Sequence, residues 1–150
     1  MITTKITFSP FFLTLSILLL GACTPQQFPM PGHNHPMAAL AEMPDMVVET
    51  EVVIQQAYQF TVANPGIASE IACYCGCVGM GHKSTYDCYV SGENANGELT
   101  FDNHATYCRV CVDITQDTMR LLDEGKNIGE ISDYIDEKYA RFGPPTVNDK

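Results

Sequence analysis

Residues 108–143 read CRVCVDITQDTMRLLDEGKNIGEISDYIDEKYARFG. Cys111, Ile114, Thr118, Leu121 and Leu122 recur at the three-and-four spacing of one helix face, so a helix is predicted over Cys111–Glu124. Gly125 supplies its C-terminal stop. Asn127 with Glu130 forms a capping-box pattern that starts a second helix. Ile128, Ile131, Ile135, Tyr139 and Phe142 line that helix, and Gly143-Pro144-Pro145 ends it.

Upstream, Val53, Ala57 and Phe60 place a helix over Val47–Val62. Asn64-Pro65 begins a short one over Pro65–Ala72, with Asn as cap and Pro in the first turn. Tyr86–Val90 reads as a short strand or turn, and the run Ser91–Gly97 as a polar turn region. The expected fold is mainly α: a domain over residues 47–145 of about four helices round a cysteine-rich loop, with 146–150 as a tail.

That loop holds the chemistry. Cys73, Cys75, Cys77, Cys88, Cys108 and Cys111 fall in one 39-residue window, with His82 and His104 between them. Residues 73–82 read CYCGCVGMGH, and their three glycines let the backbone turn tightly around a small object. Thiols this dense are disulfide-bonded, metal-bound or redox-active.

Each state reads differently. Three disulfides would suit an exported chain, but alternating neighbours do not bridge one another without strain, so each would need Cys88, Cys108 or Cys111. A metal centre would gather the six thiols with His82 and His104; such donors select Cu(I), Zn(II) or clustered iron. A thiol–disulfide oxidoreductase would use Cys108 and Cys111, since a C-x-x-C pair at a helix start has a more acidic first thiol.

The N-terminal region bears on the choice. Lys5, the apolar run Phe11–Leu20 and Leu20-Gly21-Ala22-Cys23 form a secretory signal over residues 1–22 that ends in a lipoprotein cleavage box. Cys23 is then the lipidated residue, anchored to a membrane that faces the periplasm or cell exterior. Residues 23–46 read as a disordered tether, with five prolines between 25 and 44. Four of the seven methionines lie there, Met30, Met37, Met43 and Met46, along with His33 and His35. Thioether and imidazole donors together suit copper, which makes Cu(I) the favoured ion, zinc the generic alternative, and this stretch a secondary capture site.

A net charge of −10 argues against nucleic acid as a partner. There is no Trp, no nucleotide-binding glycine-rich loop and no internal repeat.

The string Ala72-Cys73-Tyr74-Cys75-Gly76-Cys77, together with Gly81-His82-Lys83-Ser84, Asp87-Cys88-Tyr89-Val90, His104-Ala105 and Cys108-x-x-Cys111, resembles the PCYCGC-motif lipoprotein family over roughly residues 50–145. Ala72 stands where that motif has Pro. The resemblance implies an exported, lipid-anchored, cysteine-rich protein and supplies no reaction. Residues 108–145 also resemble the thiol oxidoreductase subunit of cytochrome c maturation, through the C-x-x-C, the following helix and Tyr139-Ala140-Arg141-Phe142-Gly143. That implies a helical thiol module and a link to haem- or copper-enzyme assembly. The reading is a membrane-anchored, non-enzymatic Cu(I)-binding protein with a copper-handling or respiratory-enzyme assembly partner. A Cys108/Cys111 oxidoreductase and a disulfide- or zinc-stapled structural lipoprotein are the alternatives.

Overall fold

The computed structural model describes residues 33–146. The segment read as a signal, Cys23, Met30 and residues 147–150 of the expected tail lie outside these residues.

Five α-helices occur among the described residues: α1 (Asp45–Val48), α2 (Val52–Ala63), α3 (Pro65–Glu70), α4 (Arg109–Asp123) and α5 (Ile128–Tyr139). A single antiparallel hairpin, β1 (Val90–Glu93) and β2 (Leu99–Phe101), separates α3 from α4. Short 3-10 turns at Leu40–Glu42, Cys77–Met80, Tyr86–Cys88 and His104–Thr106 join these elements. The mainly helical class read from the sequence is the observed one.

Helix α4 is central, packing against α2 on one side and α5 on the other. Its buried residues are Cys111, Val112, Ile114, Thr115, Thr118, Met119 and Leu121, a wide apolar stripe that explains its place in the middle. Helix α5 buries Ile131, Ile135 and Tyr139. Its capping box is present: Glu130 N–H donates to Asn127 Oδ1 at 3.1 Å, and Asn127 N–H donates to Glu130 Oε2 at 3.0 Å. Phe142, expected on the same apolar face, falls beyond the helix end and is half exposed.

The helix expected over 47–62 is two helices. The chain breaks at 49–51, where Thr50 Oγ1 turns back to donate to Val47 O at 2.6 Å. Asn64 precedes Pro65 as expected, yet its side chain does not cap α3. Its amide donates instead to Phe60 O and to Pro36 O, at 2.8 and 2.9 Å. Two carbonyls within reach outcompete the local cap. The run 91–97 is not all turn: Val90–Glu93 pairs with Leu99–Phe101, and the reversal sits at 94–97. Asn94 Oδ1 accepts from the N–H groups of Asn96 and Glu98, and Gly97 takes φ +83°, a conformation that side chains disfavour.

Residues 33–46, the described part of the stretch read as a tether, run along the domain. Ala38 and Gln59 exchange two hydrogen bonds, at 3.0 Å through the Ala38 N–H and 2.8 Å through the Gln59 amide. Met43 is buried in the core beside Val47. No described helix is long and apolar enough to cross a membrane.

Candidate metal centre

The cysteine loop is held at both ends. Cys73 exchanges a pair of hydrogen bonds with Thr146: its N–H donates to Thr146 Oγ1, and its carbonyl accepts from the Thr146 N–H, both at 2.8 Å. Alternation at period two puts Cys73 and Cys75 on one side of an extended chain and Tyr74 on the other. The Tyr74 hydroxyl donates to Asp136 of α5, locking that orientation. Gly76, at φ +82°, then turns the chain so that Cys77 also faces inward, and Gly81, at φ +88°, closes the turn. Asp87 accepts from the N–H groups of Lys83 and Ser84, at 2.7 and 3.0 Å, which sets the turn that delivers Cys88. From the other direction, Cys108 stands just before α4, at its N-cap position, and Cys111 occupies its first turn.

These anchors bring six sulfurs and one imidazole together. Cys73 Sγ lies 3.4 Å from Cys75 Sγ and 3.5 Å from Cys111 Sγ. Cys75 Sγ lies 3.5 Å from Cys111 Sγ and 3.3 Å from His104 Nε2. Cys77 and Cys88 are 3.7 Å apart. Two four-donor groups result, Cys73/Cys75/Cys77/Cys88 and Cys75/His104/Cys108/Cys111, and each has its donor atoms within 4.8 Å of one another. Cys75 belongs to both.

The spacings discriminate between chemical states. A disulfide has sulfurs about 2.05 Å apart; none of the six is in one. Sulfurs at about 2.3 Å from a tetrahedral ion are about 3.8 Å apart. The observed separations sit near that edge length. The site can hold a metal ion, and the donor sets fit soft and borderline ions.

The chain belongs to the family of proteins of unknown function with a PCYCGC motif, whose model matches residues 26–149. No curated protein and no solved structure matches it. The similarity to the cytochrome c maturation subunit therefore has no counterpart among these comparisons. In this PCYCGC protein the motif's three cysteines are the loop that supplies half of the sulfur donors.

Burial and crowding set the protonation of the cluster. Cys73, Cys77, Cys88 and Cys111 are at most 1% exposed, whereas Cys75 and Cys108 are partly accessible. Hydrogen bonding from Cys111 pulls the Cys73 thiol down to about 4. Cys75 is driven far below the usual thiol range by Cys108, Cys111, Cys73 and Cys77. The converse holds for Cys111, pushed far up by Cys108, Cys73 and Cys75, and for Cys77, pushed up by Cys73, Cys75 and Cys88. Cys111 is the largest single influence on Cys88 and Cys108 and lowers both, but the opposing effects together outweigh it, from Cys73, Cys75 and burial at Cys88 and from Cys75 and burial at Cys108, so both are raised. Neighbouring thiols cannot all ionise: a few carry the charge and the others hold protons that a cation would replace.

His104 joins the cluster, but His82 stands just outside it. The His82 ring packs edge-on against His104 at 5.4 Å between centroids, and its Nε2 lies 3.5 Å from Asp102 Oδ2. The same carboxylate accepts the His104 N–H at 2.7 Å, so Asp102 orients one histidine and faces the other. Nothing about a lone Asp before Asn-His marked it in the sequence. Thr146 and Tyr74 were equally invisible, because their roles depend on which distant backbone they meet.

The expected capture residues scatter. Met43 is core, Met37 is half-buried and Met46 is 37% exposed. His33 and His35 do come together, but with Asp123 rather than with the methionines.

Proposed function

We propose that this PCYCGC protein is a membrane-anchored, non-enzymatic carrier of Cu(I), with lipid on Cys23 as the tether and the Cys/His cluster as the binding site. One observation carries the reading: Cys75 Sγ is shared by two four-donor groups. A thiolate placed between two groups is suited to bridge two ions, and six sulfurs with one imidazole form a donor set soft enough to favour Cu(I).

Accessibility supports transfer. Cys108 lines an open cleft of about 390 Å³ with Glu49, Glu51, Ile54, Tyr107 and Arg109. Cys108 and Cys75 are the partly exposed donors, so ligand exchange with a partner's thiols would begin there and proceed inward. A copper-handling or respiratory-enzyme assembly protein outside the cytosol is the matching partner.

The oxidoreductase reading is weaker on physical grounds. A catalytic C-x-x-C needs an exposed, acidic first thiol. Here Cys108 is raised, Cys111 is fully buried, and both lie in a group with Cys75 and His104. Zinc has one observation in its favour: four donors per group suit a tetrahedral ion. Anaerobic titration of the reduced protein against a Cu(I) chelator, with zinc in competition, separates the two. Copper uptake that displaces zinc supports the carrier; zinc retained against Cu(I) points to a structural staple.

A further inference from the structure

The two ends of α4 carry different donors. Cys111 lies in its first turn and Asp123 is its last residue, a separation of about 18 Å along the axis. At the far end the Asp123 carboxylate meets the segment that enters the domain. His33 Nδ1 lies 2.9 Å from Asp123 Oδ2. His35 Nδ1 lies 3.3 Å from Oδ1, which also accepts the Asn34 N–H at 2.7 Å. The two imidazole rings are 4.8 Å apart between centroids.

A hydrogen bond to Asp123 accounts for His33, whereas His35 has only a looser ion-pair contact with it. The His35 side chain is 6% exposed, its ring packs edge-on against Phe60 at 4.9 Å, its Nε2 has no hydrogen-bond partner, and its Nδ1 has only the 3.3 Å contact with Asp123. An imidazole buried with one nitrogen orphaned and the other only loosely met by a carboxylate lacks something to bind. The position of the carboxylate agrees. The C-terminal end of a helix is its negative end, where a cation is favoured and a lone carboxylate is not.

We propose that His33, His35 and Asp123 form a second cation site, apart from the thiolate cluster, which takes a divalent transition ion such as Zn(II) and fastens the entering segment to the end of α4. Two imidazoles and a carboxylate are borderline-to-hard donors, a set that suits Zn(II) and divalent copper or nickel better than Cu(I). Donors at about 2.0–2.1 Å from a tetrahedral zinc ion are about 3.3 Å apart. The measured contacts of 3.3 and 2.9 Å lie at and somewhat below that edge, so small shifts complete it. His33 and Asp123 are 23% and 20% exposed, which leaves a path for the ion and for a water ligand. The site stands independently of the copper reading.

Zinc chloride titrated into the purified protein, with the imidazole nitrogen signals of His33 and His35 followed separately by NMR, tests the site. Both signals shift together and saturate. Asp123→Asn and His33→Gln each weaken that transition by about tenfold or more, without changing ion uptake by the cysteines, which thiolate absorption reads separately. His33 is partly exposed and lies outside the hydrophobic core, so its variant keeps the fold. Signals from His33 and His35 that stay fixed while the thiolates take up zinc would overturn the proposal. So would an unchanged midpoint in both variants. Failure of the copper reading would show in the thiolate absorption, not in these signals.

Discussion

The Sγ atoms of Cys75 and Cys111 lie 3.5 Å apart although 36 positions separate them. This contact joins the motif loop to the first turn of α4 and makes one cluster of two donor groups. Cys75 is therefore the residue whose loss damages both. Cys75→Ser is expected to remove more bound metal than Cys88→Ser or Cys108→Ser, each of which belongs to one group. Elemental analysis of the three variants, purified without oxygen, checks the order. Equal losses from all three would show that the groups do not share a bridge.

Ion binding must displace protons, because Cys77 and Cys111 hold theirs well above neutral pH. Metal affinity should therefore fall as pH falls. An anaerobic titration in weak buffer, read with a pH electrode, should record acid released as the ion is added. A proton-neutral titration would mean that the thiols do not take part.

Stripping the metal should destabilise the fold, since the cluster ties the loop, the Tyr86–Cys88 turn and α4 together. An ion held at about a hundred times its dissociation constant contributes about 2.7 kcal/mol. For a domain of this size that amounts to a Tm fall on the order of 10 °C. Calorimetry before and after chelation measures it.

Much of this architecture was legible in the sequence, and the reason is periodicity. Ile114, Thr118 and Leu121, then Ile131, Ile135 and Tyr139, repeat at helical spacing and are buried as that spacing requires. Asn127 and Glu130 signal their cap locally. The hairpin was hidden because Ser91–Gly97 is polar and β1 buries only Val90, so no alternating apolar pattern marks it. The cysteines announced the cluster by density. Which of them share a group, and that His104 joins while His82 faces Asp102, depends on long-range contacts that have no local sign. Asp123 was unreadable for the same reason: an acidic residue at a helix end looks like ordinary solvated surface until His33 and His35 are seen against it.

Gly143 is a steric anchor for the loop. A Cβ there would sit 3.0 Å from the Tyr74 carbonyl oxygen, backbone that Thr146 and Asp136 hold in place. Gly143→Ala should cost on the order of 1–2 kcal/mol and weaken metal binding. Gly66→Ala, in α3 with open space around it, should be neutral or stabilising by up to about 1 kcal/mol. Denaturant midpoints of the two variants compare them directly.

Asp117 is one contributor to stability in acid. Burial alone would raise its carboxyl, but hydrogen bonds from Lys138 at 2.6 Å, Tyr139 at 2.7 Å and Arg120 at 3.2 Å outweigh that and hold it below the usual carboxylate range. A depressed folded-state value means that the stabilisation is complete above the unfolded value of 3.8 and is lost as pH falls through the lower, folded one. Asp117→Asn should therefore cost about 1–3 kcal/mol at pH 7 and nothing once both states are protonated. Urea melts of the two proteins across that range should converge in acid.

The most direct test is native mass spectrometry combined with sulfur-edge and copper-edge X-ray absorption on protein reduced and loaded with Cu(I) without oxygen. The account predicts at least two copper ions per chain, bound by sulfur, with Cys75→Ser reducing the number. A protein that stays free of copper under these conditions, or one whose intact mass shows the cysteines joined as disulfides when isolated from its own compartment, would contradict it.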